Sequence, residues 1–442
     1  MKGFFAGSGS RTFNLICSGQ IVSAIGTGLT NFTLGVWVYQ QTGSATKFAL
    51  VALSGALPGG VALLFAGILA DRWSRRGTMI LSNVGAGLVT LAAAVLLFVG
   101  RLEVWHVYVG VMVRAVFVAL LEPALAASTP LLVRKEDYGR ASGLIQTARA
   151  SAQIVSPLLG GILMSQVQLG GILLLDFVSY LFALGTLLIV TIPSARPAEA
   201  PGRGAKGSLA SQAVYGWTFI KERRGLLALL LYFTVINMIT GFATVLFTPM
   251  ILSFTPARVL GMILSAGGVG FLCGSVVMSA WGGPRNRVKG ILWFGSLLGV
   301  CCILAGLNPS PALIACAAFG MFFALPVING CSQAIWQCKT PLELQGRVYA
   351  MRRIIALSCI PVPLVVAGPL ADRVFEPLVA GPLSASVGAV IGRGAGRGIA
   401  LMFVIAGALT ILTQLAAYLY PRLRLVEGEL PDAVPDVALS EV

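Results

Sequence analysis

The chain has 442 residues, of which 57% are hydrophobic and only 11% charged, and its mean hydropathy is +0.89. A water-soluble assembly of two or three domains carries about 25% charge, so that class is excluded. The net charge of +15 would suit a nucleic-acid partner, but the basic residues stand in short clusters between apolar runs, which is how membrane proteins encode their topology.

In chain order, runs long enough to cross a bilayer fall at 12–38, 47–70, 78–100, 105–127, 140–165, 170–192, 226–252, 257–281, 289–307, 311–336, 348–370 and 398–420. About 20 apolar residues cross the hydrocarbon core as a helix, whereas barrel strands are nearer ten. The expectation is an all-α membrane protein with twelve transmembrane helices in two pseudo-symmetric six-helix bundles. Residues 1–192 make the first bundle and 226–420 the second. Between them, 193–225 reads as a cytoplasmic linker: Pro193 to Gly207 is rich in Pro, Gly and Ala, and Ser208–Arg224 could lie as a helix on the membrane surface. Residues 421–442 form an acidic tail expected to be disordered. The first run is too long for the core of a cleavable signal and stays as an anchor. About 23 Lys and Arg fall on one side of the spans against about 6 on the other. That bias puts both termini and the middle loop in the cytoplasm of a cell-membrane protein. The eight cysteines stand mostly inside apolar segments, without metal-ligand spacing, and read as small buried hydrophobes.

Shifting the chain by 207 residues lays Glu136 on Glu343, Gly139 on Gly346, Arg140 on Arg347 and Gly161 on Gly368, at the same topological place in each half. Two homologous halves suit rocking about a site near the midplane.

Ionisable groups inside a bilayer are costly and mark candidate sites. The fourth segment supplies Arg114 and Glu122, the fifth Arg149, the sixth Asp176. Glu122 stands roughly 12 Å along the helix from Arg114, too far for a direct pair, while Arg149 lies roughly 13 Å in from the cytoplasmic side and could reach it. A carboxylate that alternates between apolar surroundings and a cation can load and release a proton, and Glu122 is the expected carrier; a permanent structural pair is the alternative. Asp176 reads as a static hydrogen-bonding group. Three segments carry polar residues at helical spacing: Gln20, Ser23, Thr27 and Asn31; Asn237, Thr240, Thr244 and Thr248; Asn329, Ser332, Gln333 and Trp336. Uncharged and set among aromatics, they suit a bulky neutral or amphiphilic solute better than a sugar phosphate. Hydrogen bonding between helices is the competing role.

Gly67-Ile68-Leu69-Ala70-Asp71-Arg72-Trp73-Ser74-Arg75-Arg76 resembles the loop signature of the major facilitator superfamily, which implies gating by Gly67, Asp71, Arg72, Arg75 and Arg76. Enforcing topology is the other role open to the three arginines. The matching loop of the second half, Trp281 to Arg287, keeps the basic residues but lacks the acid. Ser156-Pro157-Leu158-Leu159-Gly160-Gly161 resembles the superfamily's antiporter motif, with Ser156 where its first glycine stands. Trp105 to Tyr108, Glu122-Pro123-Ala124, Ser156-Pro157 and Gly368 to Arg373 follow one another much as in the macrolide-efflux and enterobactin-exporter branch. Arg114 occupies the place of the Arg used in the fourth helix of proton-driven antiporters, although Val118 replaces the glycine expected a turn later.

The resemblance implies a solute cavity between segments one, four, seven and ten. It also implies active export of a hydrophobic or amphiphilic drug or natural product, driven by proton antiport. No cofactor beyond the proton gradient is expected, and no enzyme activity. The expected partners are a small-molecule solute and the lipid bilayer, with no nucleic acid or nucleotide, and the chain is expected to work as a monomer. A siderophore or nonribosomal peptide is the alternative cargo, and a non-transporting sensor or scaffold the alternative class. Gly392 to Gly398 imitates a phosphate loop but follows no strand.

Overall fold

A computed structural model describes residues 8–72, 74–133, 152, 154–190, 217–359 and 361–431. The described elements are helices: α1 Ser8–Thr42, α2 Ala45–Arg72, α3 Arg75–Phe98, α4 Val104–Leu132, α5 Ile154–Gln166, α6 Gln168–Ile189, α7 Arg224–Leu252, α8 Ala257–Trp281, α9 Arg287–Leu307, α10 Pro311–Lys339, α11 Leu342–Ser358, α12 Pro361–Leu370 and α13 Arg397–Leu419. Among the described residues, 11 helical runs are long and apolar enough to cross a membrane. α5 is apolar but shorter, and the expected run 140–165 begins outside the described residues.

The helices end where the chain offers caps. Gly43, at φ 62°, donates its N–H to the Tyr39 carbonyl and turns α1 into α2, a left-handed conformation that favours glycine. Asn286 opens α9 by accepting the Lys289 N–H at 2.8 Å. The eleventh run departs from expectation. It extends over Met351–Ala380 through a π-helical turn at Ala371–Phe375, instead of stopping at 370. Asp372 and Arg373 end the apolar reading, yet Val374, Phe375, Leu378 and Val379 resume it. The Glu376 carboxylate then accepts the N–H groups of Gly396 and Ile399 at 3.3 and 3.1 Å. The glycine-rich loop that imitates a phosphate site therefore already holds an anion of the protein's own.

The chain forms two compact units, Met1–Pro201 with Thr255–Ser265, and Gly202–Phe254 with Ala266–Val442. The change of unit at 201 falls inside the expected linker, of which 193–216 lies outside the described residues. In the first unit α1 packs along α6, α2 along α4, and α3 against both α4 and α6. In the second, α7 packs along α13, and α9 against both α10 and α13. Three of the first unit's four pairings thus recur shifted by six segments, as two homologous halves require. Large apolar side chains such as Leu88, Val178, Val276, Trp293 and Leu412 stand exposed on the outer faces, as lipid contact requires.

The tail corrects an expectation. Pro421–Arg424 and Val426–Glu429 are helical turns folded back on the second unit, where Leu423 and Val426 join a core with Leu226, Leu229, Val288 and Ile335. The Glu427 carboxylate accepts the Val288 N–H at 3.0 Å, and Lys339 donates to the carbonyls of Glu427, at 2.6 Å, and Leu430. Acidic composition suggested solvation, but two apolar residues spaced for one helical face outweigh it. Residues 432–442 lie outside the described residues.

Candidate functional site

The first unit has two apolar clusters. One gathers Phe13, Ile16, Met79, Leu125 and Leu187; the other gathers Leu34, Val51, Val107, Val111 and Leu173. Between them in sequence, on each of the four helices that contribute to both, lies a polar residue: Thr27 and Asn31 on α1, Thr90 on α3, Arg114 on α4, and Asp176, Ser179 and Tyr180 on α6. Arg114 is ten residues into α4 and Asp176 eight into α6, about 15 and 12 Å along their axes at 1.5 Å per residue. Both depths fall near the middle of a hydrocarbon core of ~30 Å.

These groups meet. Arg114 Nη1 lies 3.4 Å from Asp176 Oδ2, with side chains 5% and 0% exposed. Arg114 Nη2 donates to Asn31 Oδ1. The Thr90 hydroxyl lies 3.5 Å from Asp176 Oδ2, and the Ser179 hydroxyl 3.4 Å from Oδ1. The hydroxyls of Thr27 and Tyr180 are 2.8 Å apart. Gly26 makes room for the carboxylate: a Cβ there would stand 2.7 Å from Asp176 Oδ1. A hollow of about 370 Å³ opens beside the pair, lined by Thr27, Asn31 and Arg114 and by the small residues Gly55, Gly59 and Ala115 of α2 and α4. A carboxylate this deeply buried needs a counter-charge or a proton. The arrangement can therefore exchange a guanidinium for a proton beside a solute-sized space.

The expected site residues divide. Arg114, Thr27 and Asn31 come together as described, and the acid that Arg114 meets is Asp176, which the sequence reads as a static hydrogen-bonding group. Glu122 lies on α4, and Arg149 is outside the described residues. Gln20 and Ser23 are buried inside the first unit instead of lining the hollow. Gly67, Asp71 and Arg72 form the last turns of α2, and Arg75 opens α3 behind the Ser74 cap, which accepts the Gly77 N–H at 3.2 Å. Arg76 is fixed: its Nε and Nη2 donate to the Leu187 and Leu188 carbonyls at 2.9 and 2.8 Å, capping the end of α6. In the antiporter-like motif, the Ser156 hydroxyl donates to the Ile25 carbonyl at 3.1 Å, and Gly160 faces the Phe32 ring. Gly161 packs on the start of α8, where an added Cβ would stand 2.7 Å from the Ala257 carbonyl; Pro157 offers its carbonyl to Gly261 in the same way.

In the second unit Asn237, Thr244 and Asn329 are exposed, and the Thr240 hydroxyl is spent on the Ile236 carbonyl at 2.8 Å. Gln333 and Ser332 accept from Arg352 at 3.0 and 3.3 Å. Trp336, expected to meet the solute, is 1% exposed in the core and supports the Arg352 guanidinium 5.5 Å above its ring. A large flat side chain on an otherwise polar stripe buries more area in the core than in a hollow.

Comparison with known proteins agrees with this architecture. Residues 16–363 match the family described as Major Facilitator Superfamily. Macrolide efflux protein A of Streptococcus pyogenes is 28% identical over 373 residues, 82% of this chain and 90% of that protein. The multidrug efflux pump Tap of Mycolicibacterium fortuitum is 27% identical over 371 residues, 81% and 88% of the two chains. The enterobactin exporter EntS of Salmonella paratyphi A is 27% identical over 156 residues, 35% of this chain and 37% of that protein. Among solved structures, a bacterial homologue of the human lysosomal transporter Spinster superposes with a TM-score of 0.68 at 12% identity, covering 93% of this chain and 98% of that one. The chain thus belongs to the Major Facilitator Superfamily and is a multi-pass membrane transporter of small-molecule solutes, not an enzyme.

Proposed function

We propose that this transporter exports hydrophobic or amphiphilic small molecules of drug or natural-product type from the cytoplasm, in exchange for protons, with the Arg114–Asp176 pair as the coupling site. The observation that carries the reading is an ion pair 3.4 Å long, nearly sealed from solvent, at the edge of a hollow of about 370 Å³. Solute entering the hollow from the cytoplasm presses the Arg114 guanidinium onto Asp176 and expels the proton held by that carboxylate to the cytoplasm. Once the solute has left outward, the guanidinium turns with Asn31 into the empty hollow, and Asp176 takes a proton from outside. One charge moved across 100 mV is worth about 2.3 kcal/mol, enough for a solute gradient of about fiftyfold.

The direction of transport and the solute class rest on similarity to the efflux proteins, which covers four-fifths of the chain for the macrolide and multidrug pumps. Glu122 and Arg149 remain a second proton relay in this reading, and Asp71 with its arginines a gate at the cytoplasmic end. Both termini and the 193–225 linker face the cytoplasm of the plasma membrane, and a monomer suffices. Export of a siderophore is the second reading, favoured by the enterobactin exporter but over only about a third of the chain.

The test is erythromycin uptake into inverted membrane vesicles energised by respiration. Uptake is expected to collapse when nigericin removes the pH gradient. Uptake that survives nigericin and stops only when ATP is withdrawn contradicts the proposal.

A further inference from the structure

α7 and α13 leave a groove of about 560 Å³ on the second unit, lined by Leu227, Ala228, Leu231, Val235 and Ala416, with Arg224 at one end. From Arg224 to Val235 is eleven residues of helix, about 16 Å. That is the depth of one leaflet, half of the ~30 Å hydrocarbon core. The Arg224 end is also the level of the headgroups. Trp217, Tyr418 and Tyr420 stand exposed there, as aromatic side chains do at a membrane interface.

The charge at that end is only partly compensated. Five cations, Lys221, Arg223, Arg224, Arg422 and Arg424, face three carboxylates, and each carboxylate is already engaged. Glu222 pairs with Arg223 at 3.9 Å, Glu429 pairs with Arg422 at 3.1 Å, and Glu427 holds the Val288 N–H. Among the described residues Lys221 and Arg224 have no carboxylate partner. Basic residues at the mouth of an apolar cleft between membrane helices match a lipid with a negative headgroup.

We infer that this groove binds an anionic phospholipid, with one acyl chain against Leu227, Leu231, Val235 and Ala416 and the phosphate at Arg224. A zwitterionic lipid gains the same apolar contact but carries no net charge to answer the cations. The site lies within the second unit and apart from Arg114 and Asp176, so it stands or falls independently of the export reading.

Native mass spectrometry of the purified full chain, titrated separately with dioleoylphosphatidylglycerol and dioleoylphosphatidylcholine, tests it. Phosphatidylglycerol adducts are expected to form at lower lipid concentration, and R224Q should weaken them about fivefold while leaving phosphatidylcholine adducts unchanged. A416W, which fills the groove from an exposed position, should weaken adducts of both lipids. Equal binding of the two lipids by the wild type overturns the inference, as does an R224Q or A416W protein that binds as the wild type does. Displacement of the phosphatidylglycerol by added erythromycin also overturns it, because the groove would then belong to the solute.

Discussion

Removing either Arg114 or Asp176 leaves its partner buried without a counter-charge, which costs about 3–5 kcal/mol. R114Q and D176N are each expected to lower the melting temperature of the detergent-purified protein markedly, and the R114Q/D176N double variant to be more stable than the sum of the two losses. Strict additivity in that cycle would mean that the 3.4 Å pair contributes nothing as a pair. Gln20 offers the opposite case. It is 8% exposed, and neither side-chain polar atom has a hydrogen-bond partner among the described residues. Q20L should therefore be neutral or stabilising by about 1 kcal/mol, measured by the same melt; a clear loss would show that Gln20 has a polar partner in the protein. Both members of the ion pair are legible in the sequence as charges inside apolar runs. Their pairing is not legible from the spacing along α4, which only rules out Glu122 as a direct partner of Arg114. It emerges from depth: counted from the helix starts, Arg114 and Asp176 share a level, and depth couples residues on neighbouring helices in a way that one-helix spacing does not.

Helices approach each other closely where glycine permits it, and α5 against α8 is such a place. With a Cβ at Gly161 only 2.7 Å from the Ala257 carbonyl, G161A must push the helices apart, at a cost of about 1–3 kcal/mol. Gly185 of α6 meets nothing within 4 Å, so G185A should be tolerated or gain up to about 1 kcal/mol of helix propensity. The two melts compared check the contact; equal effects would dissolve it. The motif signals a close approach at Gly160 and Gly161, but nothing in the local pattern says that Ala257 and Gly261 receive it. The fold of the tail is less legible in its sequence. Its acids argue for solvation, while the burial of Leu423 and Val426 depends on the ends of α7 and α9, far away in the chain. Truncation after Tyr420 removes both side chains from the core, each worth about 1.5–3 kcal/mol. It should therefore lower the melting temperature more than E427Q does, since that change removes only the charge and leaves an amide oxygen to accept the Val288 N–H. The reverse order would mean that the tail is held by its charge and not by its apolar face.

At the scale of the whole molecule, hydropathy marks every described span to within a few residues, except the eleventh, where Asp372 and Arg373 hide ten further helical residues. Lipid exerts that regularity, because each helix must satisfy its backbone internally and present apolar side chains outward. The proposed orientation rests on arginine and lysine placement. Cysteines introduced at the exposed Arg101 and Arg393 should react with a membrane-impermeant thiol reagent in intact cells, while one at the exposed Arg285 should react only after permeabilisation. A reversed pattern would invert the transport direction argued here. The packing of the two units follows the six-segment repeat, but the polar layer does not: the first unit carries Arg114 and Asp176, while in the second the Tyr232 hydroxyl meets Gln414 at 2.7 Å between α7 and α13, without charge. The proposed coupling site is accordingly the pair in the first unit. The most direct measurement is macrolide accumulation by acid-interior liposomes containing wild-type or D176N protein, set beside exchange of labelled for unlabelled macrolide with no gradient. The account predicts that D176N still exchanges but no longer accumulates; D176N liposomes that accumulate macrolide as the wild type does would contradict it.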